Sequence, residues 1–502
     1  MLFISIVFIW LVPLVSSQSR TIHHLHKPKI EWRDCRDQVP LTLDLTGLNL
    51  DNLPSTLYCG EITVPMNYAE PISAQNNITV GLAMYRPEKE PKGIVFFNPG
   101  GSDEATVFAR QVAFNQTEEF SGLTDFDLMM MDVRGTYHPN PLNVSLDRYS
   151  GLMGPYPITQ TEFDTLYKAS TDAIQSWTDL SYPPGILEYV GTKEVIQDFE
   201  SIRRALCYDT INFIGASYGS FRAAQYAAVY PNRVGNFALD SVAPHGVSLF
   251  QEAQDQIAAA NRGLLRADAY CQNNNSCPFK SQGKGSIPKK VLAAAQKTPL
   301  IASYCINSTN CTSPVTASNI QVGLQNSLLG QPDFPTIFKA LEQALQGDAS
   351  LFAIATGDPI SDTQTVWSLP LLCSDYNLGN NTFEAFRSSL EAGLKASPSN
   401  FIKWLYASLI VLPAPTEWTR LVWEQNQESG LLIRHGDDHV SIQLPSQPSS
   451  SITKEFIRTG KLPATRNETL VSVYAPGMQV RPIADPYDVP TGAIVGDVDS
   501  DS

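Results

Sequence analysis

The apolar run Ile211-Asn212-Phe213-Ile214 passes directly into Gly215-Ala216-Ser217-Tyr218-Gly219 and then into the helix-compatible stretch Phe221-Arg222-Ala223-Ala224-Gln225-Tyr226-Ala227-Ala228. Strand, tight turn and helix follow one another with no linker. A turn sharp enough to push the serine hydroxyl outward leaves no room for side chains two positions before and two after it, and both places hold glycine. A chain with this junction is committed to a buried strand whose carboxyl end feeds a helix, the unit of a parallel, helix-covered sheet. Ser217 is the candidate nucleophile.

The alternation extends along the chain. Gly60-Glu61-Ile62-Thr63-Val64-Pro65 and Ile78-Thr79-Val80-Gly81-Leu82-Ala83-Met84-Tyr85 read as an antiparallel pair. Gly93-Ile94-Val95-Phe96-Phe97 is a wholly apolar strand running into Asn98-Pro99-Gly100-Gly101-Ser102. Open α/β sheets place their ligand sites where a buried strand delivers the chain to such a glycine turn. A second buried strand covers 126–132 and leads to Val133-Arg134-Gly135-Thr136, residues 191–206 have helical spacing, and 234–240 is another strand. The fold class expected is α/β, with a mostly parallel, doubly covered central sheet.

From 244 to 372 the pattern changes to amphipathic helices, at 250–267, 288–296, 320–329 and 335–345, expected to form an inserted lid over the carboxyl ends of the strands. Ser429-Gly430-Leu431-Leu432-Ile433-Arg434 is a short strand, followed by His435-Gly436-Asp437-Asp438-His439. The expected organisation is a signal peptide over 1–17, an N-terminal arm over 18–57, the first part of the core over 58–243, the lid over 244–372, a C-terminal part of the core over 373–479, and a disordered tail over 480–502 rich in Pro, Asp and Gly.

The first 15 residues are apolar except for Ser5 and are followed by Ser16-Ser17-Gln18, with small residues suited to cleavage after Ser17, which predicts secretion. Eight cysteines suit an oxidising compartment. Proximity pairs Cys271 with Cys277 and Cys305 with Cys311, while Cys35 and Cys59 could staple the arm to the first strand; Cys207 and Cys373 fall outside these short loops. Sequons at Asn77, Asn115, Asn143, Asn274, Asn307, Asn310, Asn380 and Asn467 fit a glycoprotein. A net charge of −15 opposes nucleic-acid binding, which needs clustered Lys and Arg. No zinc-ligand spacing and no HExxH stretch occurs, so neither a metal nor a cofactor is expected. No later segment is long enough to span a bilayer, so no stable membrane association is expected, and a monomer is the expected state.

Taken together, Asn98-Pro99-Gly100-Gly101, Asp132-Val133-Arg134-Gly135-Thr136, the pentapeptide around Ser217, Tyr230-Pro231-Asn232-Arg233-Val234 leading to Leu239-Asp240, Gly436-Asp437-Asp438-His439 and Phe456-Ile457-Arg458-Thr459-Gly460-Lys461-Leu462-Pro463 resemble the secreted tripeptidyl aminopeptidase-like branch of the α/β-hydrolase fold, related to prolyl aminopeptidases. The resemblance runs from about Trp32 to Tyr474. It implies a serine exo-peptidase that takes a peptide substrate with a free N-terminus and works through a Ser-Asp-His triad.

In this fold the base follows the serine in chain order. His245, His435 and His439 qualify, and His439 matches the family position, although Asp438 replaces the glycine usual before it. The oxyanion donors expected are the Tyr218 N–H and one N–H from the turn at Gly101 and Ser102. After that turn this chain goes directly to Ser102-Asp103-Glu104, where the family usually has a longer glycine-rich run, and Asp103 and Glu104 are expected in solvent. The family's acid lies roughly thirty residues before the histidine, yet no Asp occurs between 377 and 436; Glu417 is the nearest replacement. Three explanations stand for the missing carboxylate: an incompletely assembled or misspliced gene model, use of Glu417 or another carboxylate, and a peptide-binding relative that no longer cuts; an esterase or lipase shares the same triad logic.

Overall fold

The uninterrupted apolar runs become the centre of a sheet. β1 (Ile30–Arg33), β2 (Leu57–Val64), β3 (Ile78–Tyr85), β4 (Ile94–Asn98), β5 (Asp127–Met131), β6 (Ile211–Ala216) and β7 (Val234–Asp240) are ordered β1-β2-β3-β5-β4-β6-β7. The computed structural model describes residues 28–37, 48–137, 139–153, 157–248, 251–252, 254–256, 267–268, 270–272, 274–280, 282, 286–307, 313–327, 333–356, 363–376, 382–396, 419, 429–435, 440–443, 448–462, 468–473 and 494–497. β5, β4, β6 and β7 run parallel, with Phe97 level with Met130 on one side and Ile214 on the other. β1, β2 and β3 add an antiparallel flank, and β3 joins β5 antiparallel. The sheet is therefore mixed, parallel where the site lies; no crossover helix separates β2 from β3, and without one neighbours cannot run parallel.

Side chains alternate between the two faces with the period of a strand. On β4, Phe96 enters one core cluster while Val95 and Phe97 enter the other; on β5, Met129 and Met131 part from Leu128 and Met130 in the same way. The first face is covered by α4 (Thr192–Ala205) and α5 (Tyr218–Val229), the second by α1 (Thr106–Ala113) and a late helix over Pro448–Thr459. A 21-residue helix, α3 (Gln160–Leu180), is an element for which the apolar spacing gave no warning, because it buries only Ala173, Ser176 and Trp177. Its start is nevertheless written locally: Thr159 and Glu162 cap each other's backbone N–H groups.

The region 244–372 has its own apolar centre, with Ile287, Val291, Ile320, Leu324, Phe334, Phe338, Leu341 and Phe352 buried together. Its described helices cover Ser286–Lys297, Ala317–Asn326, Phe334–Leu345, Ser350–Thr356 and Thr363–Asp375. The last of these crosses the boundary drawn at 372. Val366, Trp367 and Leu371 sink into the main core, and the Trp367 Nε1–H donates to the Leu142 carbonyl at 2.8 Å. Most of the helix expected at 250–267 lies outside the described residues.

The strand expected near 431 is present as Leu431–His435, but it pairs in parallel with Glu468–Val473 in a separate three-stranded sheet and not with β7. The helix Pro448–Thr459 supplies the crossover between those two strands. The third strand, Ile494–Asp497, pairs in parallel with Glu468–Val473, led by the strand-favouring pair Ile494-Val495; the rest of 480–502 lies outside the described residues. Cys35 is bonded to Cys59 and Cys271 to Cys277, as expected. Cys305 is also disulfide-bonded, and Cys311 lies outside the described residues, as do 1–17. Among the described residues no helix is long and apolar enough to cross a membrane.

Near the start of the region 244–372, Glu252 is buried and accepts a hydrogen bond from Gln256 Nε2 at 3.0 Å. Burial pushes its carboxyl up to about 7, against the pull of that hydrogen bond. Because the folded-state value lies above the unfolded one, the stability this group allows is fully present below about pH 4.5 and is lost as pH rises through about 7. Glu252→Gln removes that loss: denaturant unfolding at pH 8 should find the variant more stable than wild type by roughly 2–4 kcal/mol, with the gap closing by pH 4.5. Equal pH dependence in the two proteins between 4.5 and 8 contradicts this.

Candidate active site

The carboxyl ends of β4 and β6 meet at the point where the strand order changes direction. From β4 the chain crosses to β5 on one side, while β6 lies on the other, and such switch points leave a crevice above the strand ends. The turn after β6 carries Ser217 at φ 53°, ψ −127°, a backbone conformation that non-glycine residues avoid and that a nucleophile turn between strand and helix requires. The flanking glycines are dictated by contact. A Cβ on Gly215 would lie 2.4 Å from the Gly219 carbonyl oxygen, and one on Gly219 would lie 2.1 Å from the Asn98 carbonyl oxygen. The Ser217 N–H donates to the Asp240 carbonyl at 2.9 Å, tying the turn to the end of β7.

The turn after β4 rests on this elbow. Gly100, at φ +107°, sits so close that a Cβ there would meet Ala216 O at 2.6 Å, Ser217 Cβ at 2.7 Å and Tyr218 N at 2.8 Å. Gly101 follows at φ +46°, and the Asp103 N–H closes the turn on the Gly100 carbonyl at 3.2 Å. The Tyr218 N–H opens α5 and so has no acceptor within the helix. Ser217, Tyr218, Gly101 and Ser102 are thus brought together by two adjacent turns. Folding back of the second turn leaves Asp103 and Glu104 half-buried, in place of the exposure expected for them.

The side chains around the elbow form a small aromatic cluster. Tyr218 stacks on Phe221 with ring centroids 5.1 Å apart, and Tyr376 approaches Phe221 at 5.5 Å. His245 also stacks on Phe221, with ring centroids 3.5 Å apart, places Nε2 3.0 Å from the Phe221 carbonyl, and has its pKa lowered by burial. That position gives His245 a packing role on α5. His435 ends the strand Leu431–His435, and His439 and Glu417 lie outside the described residues.

Polar side chains to which the sequence analysis gave no contact partners converge here. Asp375, at the end of the last lid helix, accepts from Thr192 N at 2.7 Å, Thr192 Oγ1 at 2.6 Å and the Tyr218 hydroxyl at 2.7 Å. It therefore joins lid, α4 and elbow. Asp240 Oδ2 accepts from Ile442 N at 2.7 Å and Ser441 Oγ at 3.1 Å, which ties the end of β7 to the segment that comes after His439 in the chain. Ser102 Oγ lies 3.0 Å from Ser368 Oγ, a second link from turn to lid. Arg222, fully buried on α5, donates to Asn98 Oδ1 at 2.7 Å and to the Gly101 carbonyl at 2.8 Å. Only Arg222 had a visible signal, a charge amid the apolar and small residues of a buried helix.

Comparison with known proteins matches residues 93–378, more than half of the chain, to the family described as the alpha/beta hydrolase fold. The chain is 26% identical over 282 residues to the tripeptidyl aminopeptidase of Streptomyces coelicolor, covering 54% of this chain and 49% of that one. It is 25% identical over 294 residues to the serine protease Hip1 of Mycobacterium tuberculosis, covering 58% and 53%. The putative hydrolase YuaR of Escherichia coli is 23% identical over 394 residues, covering 74% and 72%. The aligned stretch thus spans about half the length of the first two relatives. The matched segment contains β4, the elbow and the turn that meets it, and by that match the chain belongs to the α/β hydrolase fold family.

Proposed function

We propose that the chain is a secreted serine hydrolase of the peptidase type, releasing short peptides or single residues from free N-termini through an acyl-enzyme. The observation that carries this reading is Ser217 held at positive φ between β6 and α5, with the Gly100–Gly101 turn against its Cβ and against the Tyr218 nitrogen. Ser217 Oγ attacks the peptide carbonyl, His439 takes its proton and returns it to the leaving amine, and water then releases the acyl group. The Tyr218 N–H and a donor from Gly101 or Ser102 receive the charge that develops on the carbonyl oxygen. The names of the tripeptidyl aminopeptidase and Hip1 relatives support peptide chemistry, and the disulfides support an oxidising compartment.

The acid of the triad is assigned between two carboxylates. Glu417 is the replacement suggested by the sequence. Asp240 is supported by its contacts, since it sits beside the elbow and holds Ile442, three residues beyond His439. A peptide-binding relative without hydrolytic activity is the second reading, favoured by the absence of aspartate between 377 and 436.

A fluorophosphonate probe should label wild-type protein at Ser217 and leave Ser217→Ala unlabelled; folded wild-type protein that takes no label supports the binder. Of Glu417→Gln and Asp240→Asn, the substitution at the true acid should cut the labelling rate by about 100-fold or more, because the imidazole loses its tautomer and its partner. If both label as wild type, neither residue is the acid. Acetylating the N-terminus of a peptide substrate should lower kcat/KM by about 100-fold or more, since a site built around an ammonium group is left unpaired. Unchanged turnover of the acetylated peptide excludes the exo-peptidase assignment.

A further inference from the structure

Arg222 is among the largest side chains that are fully buried, at 1% exposure. A guanidinium taken out of water is costly unless a carboxylate or a full set of acceptors replaces the solvent. Here the hydrogen-bonding partners are neutral: Nη1 donates to Asn98 Oδ1 and Nη2 to the Gly101 carbonyl, while the guanidinium carbon lies 5.0 Å from the centre of the Tyr218 ring. Nε is buried with no acceptor among the described residues. Asp375 and Asp103 favour the charge from a distance, but burial outweighs them and lowers the pKa from its ordinary value. These groups share one location. Asn98 ends β4, Gly101 lies in the turn just beyond it, and Tyr218 comes directly after the nucleophile.

Resting on the Ser217 reading above, we propose that Arg222 is a positioning residue of the oxyanion hole, a fixed buried cation that holds the Gly101 carbonyl and so aims and polarises the N–H of Ser102. Gly101 C=O and Ser102 N–H belong to one peptide unit, and a charged donor on the oxygen strengthens the N–H at its other end. The same cation faces the region where negative charge appears on the attacked carbonyl, in surroundings that screen it weakly. That no carboxylate among the described residues is bonded to it then has a physical use, because a paired guanidinium would present little net field. The shortened glycine run supplies the need: the turn leaves Gly101 for Ser102-Asp103-Glu104, and Arg222 pins its carbonyl from below.

The test uses the full chain and the second-order rate of fluorophosphonate labelling, read beside the non-covalent inhibition constant of a substrate-like peptide and the thermal melt. Arg222→Gln should stay folded, bind the peptide as wild type does, and label about 100-fold more slowly, the scale of one lost oxyanion donor. Arg222→Lys should recover about tenfold of that, since it restores charge without the two-pronged grip. Asn98→Asp keeps the guanidinium in place but pairs it, and should slow labelling about tenfold or more, because a paired cation presents a weaker field; this variant decides the matter if Arg222→Gln does not fold. A folded Arg222→Gln or Asn98→Asp that labels at the wild-type rate overturns the role of the cation while leaving Ser217 intact. Wild-type protein that takes no label overturns the Ser217 reading and this role with it.

Discussion

The contact between the Gly219 backbone and the Asn98 carbonyl is the closest approach on which the site depends. Parallel neighbours β4 and β6 end level with each other, Asn98 opposite Gly215, so the turn leaving one strand must clear the turn leaving the other. With glycine at 100, 215 and 219 the two turns close onto each other without an intervening side chain. Ser217 is then the first side chain with room to leave the turn, and the nearest N–H groups are those of the facing turn and of α5. The proposed nucleophile and the proposed oxyanion donors are in this sense a single packing solution.

Charge is distributed around that contact with unusual asymmetry. Elsewhere in the core Arg134 is paired with Asp198 at 2.6 Å, both side chains fully buried, and further donates to the carbonyls of Met66, Tyr189 and Pro65. That arrangement neutralises the guanidinium and fastens the loop after β2 to α4. Arg222, equally buried, has carbonyl and amide oxygens and an aromatic face as its partners among the described residues, with no bonded carboxylate among them. Two arginines in similar burial thus have different electrostatic surroundings, one neutralised and one left with its field, and the second lies beside the elbow.

The helix Thr363–Asp375 meets the core through polar contacts and through the apolar packing of Val366, Trp367 and Leu371. Asp375 reaches Thr192 and the Tyr218 hydroxyl, Ser368 reaches Ser102, and Trp367 packs into the main core with its indole N–H on Leu142. The polar bonds of Asp375 and Ser368 land on the elbow, the turn after β4 and the start of α4. A shift of the helix Thr363–Asp375 would therefore be felt at the residues proposed to do the chemistry.

Strand runs, the elbow and the glycine turn were legible because each is a local property: buried strands must be apolar, and a strained turn must be glycine-flanked. The limits of β3 and β7 match the sequence reading residue for residue, and Ser217, Tyr218, Gly101 and Ser102 were identified from short motifs. Relationships between distant residues could not be read in the same way. The antiparallel joint of β3 to β5, the pairing of Leu431–His435 with Glu468–Val473, and the convergence of Arg222, Asp240 and Asp375 depend on strand order and helix docking, which bring together positions far apart in the chain. By itself the sequence determined that a serine would project from a sharp bend in an α/β sheet, since sterics at that bend are local. Only the tertiary structure decided which charges surround it, because an electrostatic environment is set by spatial neighbours and not by neighbours in the chain.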